Sequence, residues 1–450
     1  MSYPGHRQTK VRLLGIIGTL LMVVPLTVRA LEVEGVQPYA LDQPRVPALL
    51  RPAGGGDPLT TRSELTGQNI FAFECFLDTG ATRITMSRTD RDALGVKSTG
   101  KTVEDWGIGG TQEFELSEPY RLCVGDTSSS MFNPAGFQNC MTTTMQLSRS
   151  DKDLLEAMPK GLSEQLTGGS LGLGKGSMEG MFTVAMNIIG TPFLENHVAV
   201  LDPRPVQATF RLLSGLSGAA SGGTNKPTDL LGGLLQSMAS GGATSGRIAV
   251  QIKDVDEDYA QCQLNVPLNM RDVEEKPVPV ASAPAPFIDD VQLENGEKSV
   301  EASLLLDTGG GVTIISPDLA RKLGLDLGEP ALTAPVMGVG KGTQELKGYW
   351  VDRMELPTAE EERLVFRNVP LFVADLRHLD GTLGVNMLVP SLYIDMDMQA
   401  IGRNPLAILG SMKGGMMPFR RIVLDLPGEK LGLDPVVQAR GVSQPAPKEQ

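Results

Sequence analysis

Apolar residues in this chain come in short runs broken by Gly, Pro, Asn and Asp, the pattern of strands and turns rather than of long amphipathic helices. Two of these runs end alike. Phe71-Ala72-Phe73-Glu74-Cys75 leads into Phe76-Leu77-Asp78-Thr79-Gly80-Ala81-Thr82, and Ala302-Ser303-Leu304 leads into Leu305-Leu306-Asp307-Thr308-Gly309-Gly310-Gly311. Each continues into a second short apolar run, Ile84-Thr85-Met86 or Val312-Thr313-Ile314-Ile315. An Asp placed where a buried strand turns is costly unless the site uses it. Two such residues in matching contexts predict a pair that meets in space.

The spacing supports an internal repeat. The two Asp residues lie 307 − 78 = 229 apart, and Phe137-Gln138-Asn139 and Phe366-Arg367-Asn368 keep that offset, 366 − 137 = 229. Between them lie two glycine-rich stretches, Trp106-Gly107-Ile108-Gly109-Gly110-Thr111-Gln112-Glu113 and Met337-Gly338-Val339-Gly340-Lys341-Gly342-Thr343-Gln344-Glu345. Further on, Gly169–Gly174 answers Asp380–Val385 at 384 − 172 = 212, which implies 229 − 212 = 17 extra residues in the first half. Ile188-Ile189-Gly190 is matched with Ile408-Leu409-Gly410, each ahead of an apolar run ending in Asp202 or Asp425. The apolar-apolar-Gly landmark has alternatives, Leu171-Gly172 or Ile189-Gly190 in the first half and Leu383-Gly384 or Leu409-Gly410 in the second. Landmarks in one order indicate duplicated architecture, with a period too long for a solenoid.

The rest of the chain divides around these halves. Residues 1–30 carry His6, Arg7, Lys10 and Arg12, an apolar run Leu13–Val28 and a small-residue exit, the pattern of a secretory signal. That run is short for a bilayer span, which needs about 20 apolar residues; an uncleaved N-terminal anchor is the alternative. Residues 31–64 read as an N-terminal extension and a candidate pro-segment, and 65–213 as the first lobe, with a short surface helix near Ser150–Leu166. Residues 214–246 form a Gly/Ser-rich linker. Residues 247–286 hold a strand segment and a Pro-rich spacer, 287–433 form the second lobe, opened by the hairpin signal Glu294-Asn295-Gly296-Glu297, and 434–450 form a loose tail.

Composition narrows the function. The chain has 450 residues, 41% of them apolar, enough for two or three domains with sizeable cores. A formal net charge of −13 argues against nucleic acid or anionic lipid as partner. Four cysteines, Cys75, Cys123, Cys140 and Cys262, allow three pairings, of which Cys123–Cys140 is the local one, and free buried thiols are the alternative. With three His residues and no Cys-x-x-Cys, a zinc site is not expected.

Taken together, an apolar run ending in Asp-Thr-Gly, a glycine-rich hairpin and a later apolar-apolar-Gly resemble the aspartic proteases. Asp-Thr-Gly-Ala-Thr at 78–82 is similar to the retropepsin-like branch in particular. Retropepsins usually carry one such motif per chain and pair as homodimers; here both copies stand in one chain, as in the bilobal pepsin-like enzymes. The resemblance covers both lobes but not the signal, linkers or tail. It implies an all-β fold of two lobes, each a closed barrel-like sheet with a flap hairpin. It implies Asp78 and Asp307 as a catalytic dyad supported by Thr79, Gly80, Thr308 and Gly309. Trp106, Gly107, Ile108, Gly109 and Gly110, with Met337, Gly338, Val339 and Gly340, would form flaps over a bound peptide. The expected function is that of an exported (periplasmic or secreted) aspartic endopeptidase, a monomer acting on peptides or proteins with no metal or cofactor.

The chemistry needs these residue types. Two carboxylates held together cannot both ionise, so they share one proton. The ionised member draws a proton from water while the protonated one donates to the peptide carbonyl. One feature departs from the family: Gly310-Gly311 follows the second motif where Ala, Ser or Thr and often a hydroxyl residue are expected, which implies a less constrained loop. It favours the competing reading, an inactive relative acting as a peptide- or protein-binding module. Gly168-Gly169-Ser170-Leu171-Gly172 matches a serine-hydrolase elbow, but no buried strand precedes it. Gly169–Lys175 approximates a phosphate loop, but Gly176 stands where Ser or Thr should be. Both readings are rejected. Trp106 is read as either hairpin packing or a substrate contact, and His197 as structural.

Overall fold

The computed structural model describes residues 30–63, 67–108, 110–153, 183–184, 186–203, 248–273, 279–337, 343–360, 362–394 and 412–436. The signal segment, the 214–246 linker and most of the expected surface helix lie outside the described residues. The chain is mostly β, organised in three larger sheets and three small ribbons.

The first sheet runs in the order Asn139–Thr143, Tyr120–Val124, Arg45–Pro52, Ala72–Leu77, Ile188–Ile189, Thr85–Met86, Gln146–Leu147, Gly110–Ser117, Ser98–Gly107. Its central strand, Ala72–Leu77, buries Ala72, Phe73, Cys75 and Leu77, because apolar residues fall on both of its faces where neighbours cover it. The second sheet runs Ala30–Val33, Arg363–Val373, Ile314–Ile315, Gly381–Gly384, Lys298–Asp307, Ala285–Asn295, Thr343–Leu356, Leu332–Met337. Thr343–Leu356 also pairs with Arg363–Val373, so the strand pairings return on themselves. The predicted hairpin turn is present: Asn295 faces Lys298, and Gly296 takes φ 57°. A third sheet, Ile248–Asp254, His197–Pro203, Phe419–Asp425, Lys430–Pro435, Leu264–Pro267, draws strands from both halves.

Contacts recur at the 229-residue offset. Ser87 caps the helix Arg88–Leu94 and Ser316 caps Pro317–Lys322, each side chain accepting a main-chain N–H of the first turn. Thr191 N–H donates to the Ala81 carbonyl and Val385 N–H to that of Gly310, both at 2.8 Å. Ala283 N–H donates to the Thr82 carbonyl at 3.1 Å and Ala40 N–H to that of Gly311 at 2.8 Å.

The later landmarks need correction. Ile189 lies in parallel register with Leu77, and Leu383 with Leu306. A Cβ on Gly190 would overlap the carbonyl oxygens of Ala81 and Arg83, and one on Gly384 that of Val312. The counterpart of Ile189-Gly190 is therefore Leu383-Gly384, not Leu409-Gly410. The offset is 384 − 190 = 194, so the first half carries 229 − 194 = 35 extra residues ahead of Gly190 rather than 17. The matches at 169–174 and 408–410 lie outside the described residues.

Three boundaries also differ. Residues 31–64 are not an appended extension. Arg45–Pro52 is inserted between Tyr120–Val124 and Ala72–Leu77, with Val46, Ala48, Leu49 and Leu50 all 0% exposed, and Ala30–Val33 pairs with Arg363–Val373. Each such buried Val or Leu contributes about 1.5–3 kcal/mol. The 247–286 segment is no mere spacer, since Ile248–Asp254 and Leu264–Pro267 belong to the third sheet and Asn269–Arg271 pairs with Ala285–Asn295. Lys430–Pro435 extends past the expected end of the second half, with Asp434 buried.

Cys123 and Cys140 face each other on neighbouring strands and form a disulfide, leaving Cys75 and Cys262 as free thiols. Among the described residues no helix is long and apolar enough to cross a membrane.

Candidate active site

Asp78 follows the strand Ala72–Leu77, and Asp307 ends the strand Lys298–Asp307. Although 229 residues apart, the loops they open meet. Thr79 N–H donates to Thr308 Oγ1 at 3.0 Å and Thr308 N–H donates to Thr79 Oγ1 at 3.1 Å. Each hydroxyl donates in turn across the junction, Thr79 to the Leu306 carbonyl at 2.6 Å and Thr308 to the Leu77 carbonyl at 2.7 Å. Both threonines are 0% exposed, so these bonds satisfy groups that water cannot reach.

Glycine is required on both sides of the junction. A Cβ on Gly80 would lie 2.7 Å from Asp307 Oδ1, and one on Gly309 would overlap the Asp78 carboxyl. Asp78 Oδ1 accepts the Gly80 N–H at 2.8 Å and Asp307 Oδ1 accepts the Gly310 N–H at 2.7 Å. The carboxyls also hydrogen-bond each other. Desolvation raises the Asp78 carboxyl above its ordinary range, against the lowering effect of the Gly80 N–H. Desolvation, followed by the negative charge of Asp78, pushes Asp307 further up. Each Asp nevertheless keeps part of its surface open to solvent. The pair is therefore built to hold one proton between two carboxyls.

The second loop is tighter than Gly310-Gly311 implies. Beyond the N–H bond to Asp307, the Gly310 carbonyl accepts from Val385, and a Cβ at 310 would lie 2.5 Å from Asp307 Oδ2. Gly310 permits a close approach of backbone to carboxyl. Gly311 has only Gln43 Nε2 nearby, at 3.9 Å from a built Cβ.

The expected hairpins are present. Ser98–Gly107 pairs with Gly110–Ser117 as far as Gly107 opposite Gly110, with Trp106 opposite Thr111. Leu332–Met337 pairs with Thr343–Leu356, Met337 opposite Thr343. Gly109, Gly338, Val339 and Gly340 lie outside the described residues. Trp106 and Ile108 do not pack within their own hairpin alone. They pack against a buried cluster of the second half that includes Val312, Ile314, Leu332 and Phe372, and the Arg377 guanidinium sits 4.7 Å over the Trp106 ring. His197 is structural, as expected: its Nδ1 is 3.0 Å from the Phe193 carbonyl and its ring stacks on Phe193.

Several contributors were not foreseen. The Gln43 side-chain amide donates to the Gly309 carbonyl, and the Tyr39 hydroxyl to the Thr333 carbonyl at the root of the second hairpin. Pro44 accepts the Leu77 N–H at 2.9 Å, so the 37–44 segment runs from one Asp-Thr-Gly loop to the other. The alternating Val46, Ala48, Leu50 pattern just downstream was the available signal that this region belongs to a sheet. Arg83 and Asp105 form an ion pair at 3.2 Å between the first loop and the first hairpin. Among the described residues no group of three or more His, Cys, Asp or Glu side chains is placed to hold a metal ion.

Residues 290–387 match the sequence profile of the aspartyl protease family, over the segment that carries Asp307 and the second hairpin. That segment, and not the whole chain, is similar to the aspartyl protease family. No curated relative matches it by sequence. Among solved structures, a retropepsin-like aspartic protease from Rickettsia conorii is similar at 16% identity and TM-score 0.20, covering 37% of this chain and all of that one. Basic 7S globulin from soybean is similar at 8% identity and TM-score 0.32, covering 87% of this chain and 96% of that one. The match over residues 290–387 suggests protease activity.

Proposed function

We propose that this protein is an exported, single-chain aspartic endopeptidase of two lobes related by internal duplication, each lobe a barrel-like sheet that contributes one carboxyl to the dyad. One observation carries the reading: two carboxyls from matching strand ends hydrogen-bond each other in a junction locked by Thr79 and Thr308. Two carboxyls buried together are expensive to ionise, and a shared proton gives the pair a use. The pair holds one proton between its members; written with Asp307 as the holder, Asp78 is the ionised base, and the mirror assignment is chemically equivalent. Asp78 takes a proton from water as its oxygen attacks the peptide carbon, and Asp307 donates its proton to the carbonyl oxygen. Collapse of the tetrahedral intermediate returns a proton to Asp307 and transfers one from Asp78 to the leaving amine. The peptide would lie between dyad and flaps, with Trp106–Gly110 and Met337–Gly340 closing over it. Residues 1–30 would direct export, and the finished enzyme would act as a monomer without metal or cofactor.

The test is cleavage of a peptide library by residues 31–450 between pH 3 and 7, beside Asp78→Asn and Asp307→Asn. Activity lost in either variant supports the dyad. A folded wild type that binds peptides but cleaves none would leave the binding-module reading in its place.

A further inference from the structure

The two flap roots stand on opposite chemistry. Counting from Thr111-Gln112-Glu113 and Thr343-Gln344-Glu345, Asp105 and Val336 hold equivalent positions, opposite Gln112 and Gln344. Arg83 and Val312 are 229 apart, as are Thr85 and Ile314. Gln146 is the parallel neighbour of Thr85, and Phe372 that of Ile314. Four polar side chains in the first half thus answer four apolar ones in the second.

The polar set is one connected network. Arg83 Nη1 lies 3.2 Å from Asp105 Oδ2 and donates to the Glu104 carbonyl at 3.2 Å. Gln146 Nε2 donates to Asp105 Oδ2 at 2.9 Å, and Thr85 Oγ1 donates to Gln146 Oε1 at 3.0 Å. Asp105 Oδ1 accepts the Trp106 N–H at 2.8 Å. The network spans from the segment just after the first Asp-Thr-Gly loop to the first flap. Arg83 is 3% exposed but Asp105 keeps 24%, so a carboxylate with spare lone pairs stays accessible. In the second half Val312, Ile314 and Phe372 belong to one buried apolar cluster, with Val336 packed on it.

A buried ion pair is often no more stabilising than apolar side chains of similar volume, and the second half shows that this fold accepts the apolar version. The charges are therefore explained by what is held against them. Resting on the protease reading, we propose that the two sides of the cleft differ in what they select. The first flap side takes a polar, hydrogen-bond-donating residue against Asp105 and Thr85, and the second, whose buried Val312 cluster is already covered by Trp106 and Ile108, makes no such demand.

The experiment compares wild type with the double variant Arg83→Val/Asp105→Val, which copies the second half, using a peptide library varied on both sides of the scissile bond. Wild type should favour Ser, Thr, Asn or Gln over Val or Leu at one position. The double variant should lose the polar preference by about tenfold, the worth of one hydrogen bond. An unchanged profile in a folded, active double variant overturns the proposal, as does a wild type indifferent at the polar position. Should the double variant fail to fold, Asp105→Asn replaces it and should weaken the same preference. The library is also selected for binding to Asp307→Asn, which reads the same preferences without turnover. Preferences there with no cleavage by wild type would sink the protease reading alone, and cleavage without preferences would sink this proposal alone.

Discussion

Thr79 and Thr308 exchange main-chain N–H to hydroxyl bonds at 3.0 and 3.1 Å and pass their own hydroxyl protons on to the Leu306 and Leu77 carbonyls. Thr79→Val keeps the shape but leaves Thr308 N–H and the Leu306 carbonyl without partners in a fully buried place. At about 1–3 kcal/mol for each orphaned group, the substitution should cost roughly 2–6 kcal/mol in urea unfolding. Thr308→Val should cost a similar amount, and the double variant less than the sum, because both singles break the same exchange. Strictly additive costs would show that the two hydroxyls act independently.

The dyad makes stability fall with rising pH. Both carboxyls titrate higher in the fold than their ordinary value of 3.8, Asp307 more so. A raised carboxyl binds its proton more tightly in the folded state, so its contribution is fully present below the unfolded value and is lost as pH rises through the folded one. Asp307→Asn should therefore be more stable than wild type at pH 7, and the gap should close on acidification toward pH 3.8. Thermal melts of both proteins across that range check the sign; a gap that widens in acid would contradict a shared proton. Activity at the alkaline end, where the carboxyl pair must keep its shared proton, should fall as that proton is lost.

Local pattern made the meeting of the two carboxyls legible. An apolar strand running into Asp-Thr-Gly states both the strand end and the costly acid, and the 229-residue offset stated that there were two. The Ser87 and Ser316 helix caps keep the same offset. What escaped was non-local. The third sheet joins His197–Pro203 to Phe419–Asp425, and no residue in either run names its partner. Gln43 meets Gly309 only because Arg45–Pro52 pairs beside Ala72–Leu77, and a Pro-containing run reads as extension until that pairing is known. The misplaced landmark at 408–410 has the same origin. Apolar-apolar-Gly recurs, and only the overlap a Cβ would make at Gly190 and Gly384 shows which copies are structurally equivalent.

Gly310 and Gly311 separate a needed glycine from a tolerant one. A Cβ at 310 would sit 2.5 Å from Asp307 Oδ2, while at 311 the nearest atom is 3.9 Å away. Gly310→Ala should displace the Asp307 carboxyl and lower kcat on the order of 100-fold, the scale expected for misplacing a catalytic group by about an ångström. Gly311→Ala should leave kcat within about twofold, since ordinary surface substitutions move energies by only about 0.5 kcal/mol. Equal losses at both positions would mean that the loop's flexibility, rather than the close approach at Gly310, is what matters.

Arg377 holds the first flap from the opposite half. Its guanidinium lies 4.7 Å over the Trp106 ring, and its Nη2 donates to Thr111 Oγ1 at 3.5 Å. Arg377 is exposed, so the stacking contributes about 0.5–1 kcal/mol. Removing it should raise the population of opened flap about two- to fivefold, by the same energy. The chain has two tryptophans, so Trp350→Phe leaves Trp106 as the sole indole reporter. In that background Arg377→Ala should change Trp106 emission and increase its quenching by iodide, whereas Arg377→Lys should restore part of the protection because a cation still faces the ring. Peptide association should quicken in Arg377→Ala while kcat stays near its original value, since Arg377 touches the flap and not the carboxyl pair. Unchanged quenching would show that the apolar contacts of Trp106 and Ile108 with the Val312 cluster hold the flap by themselves.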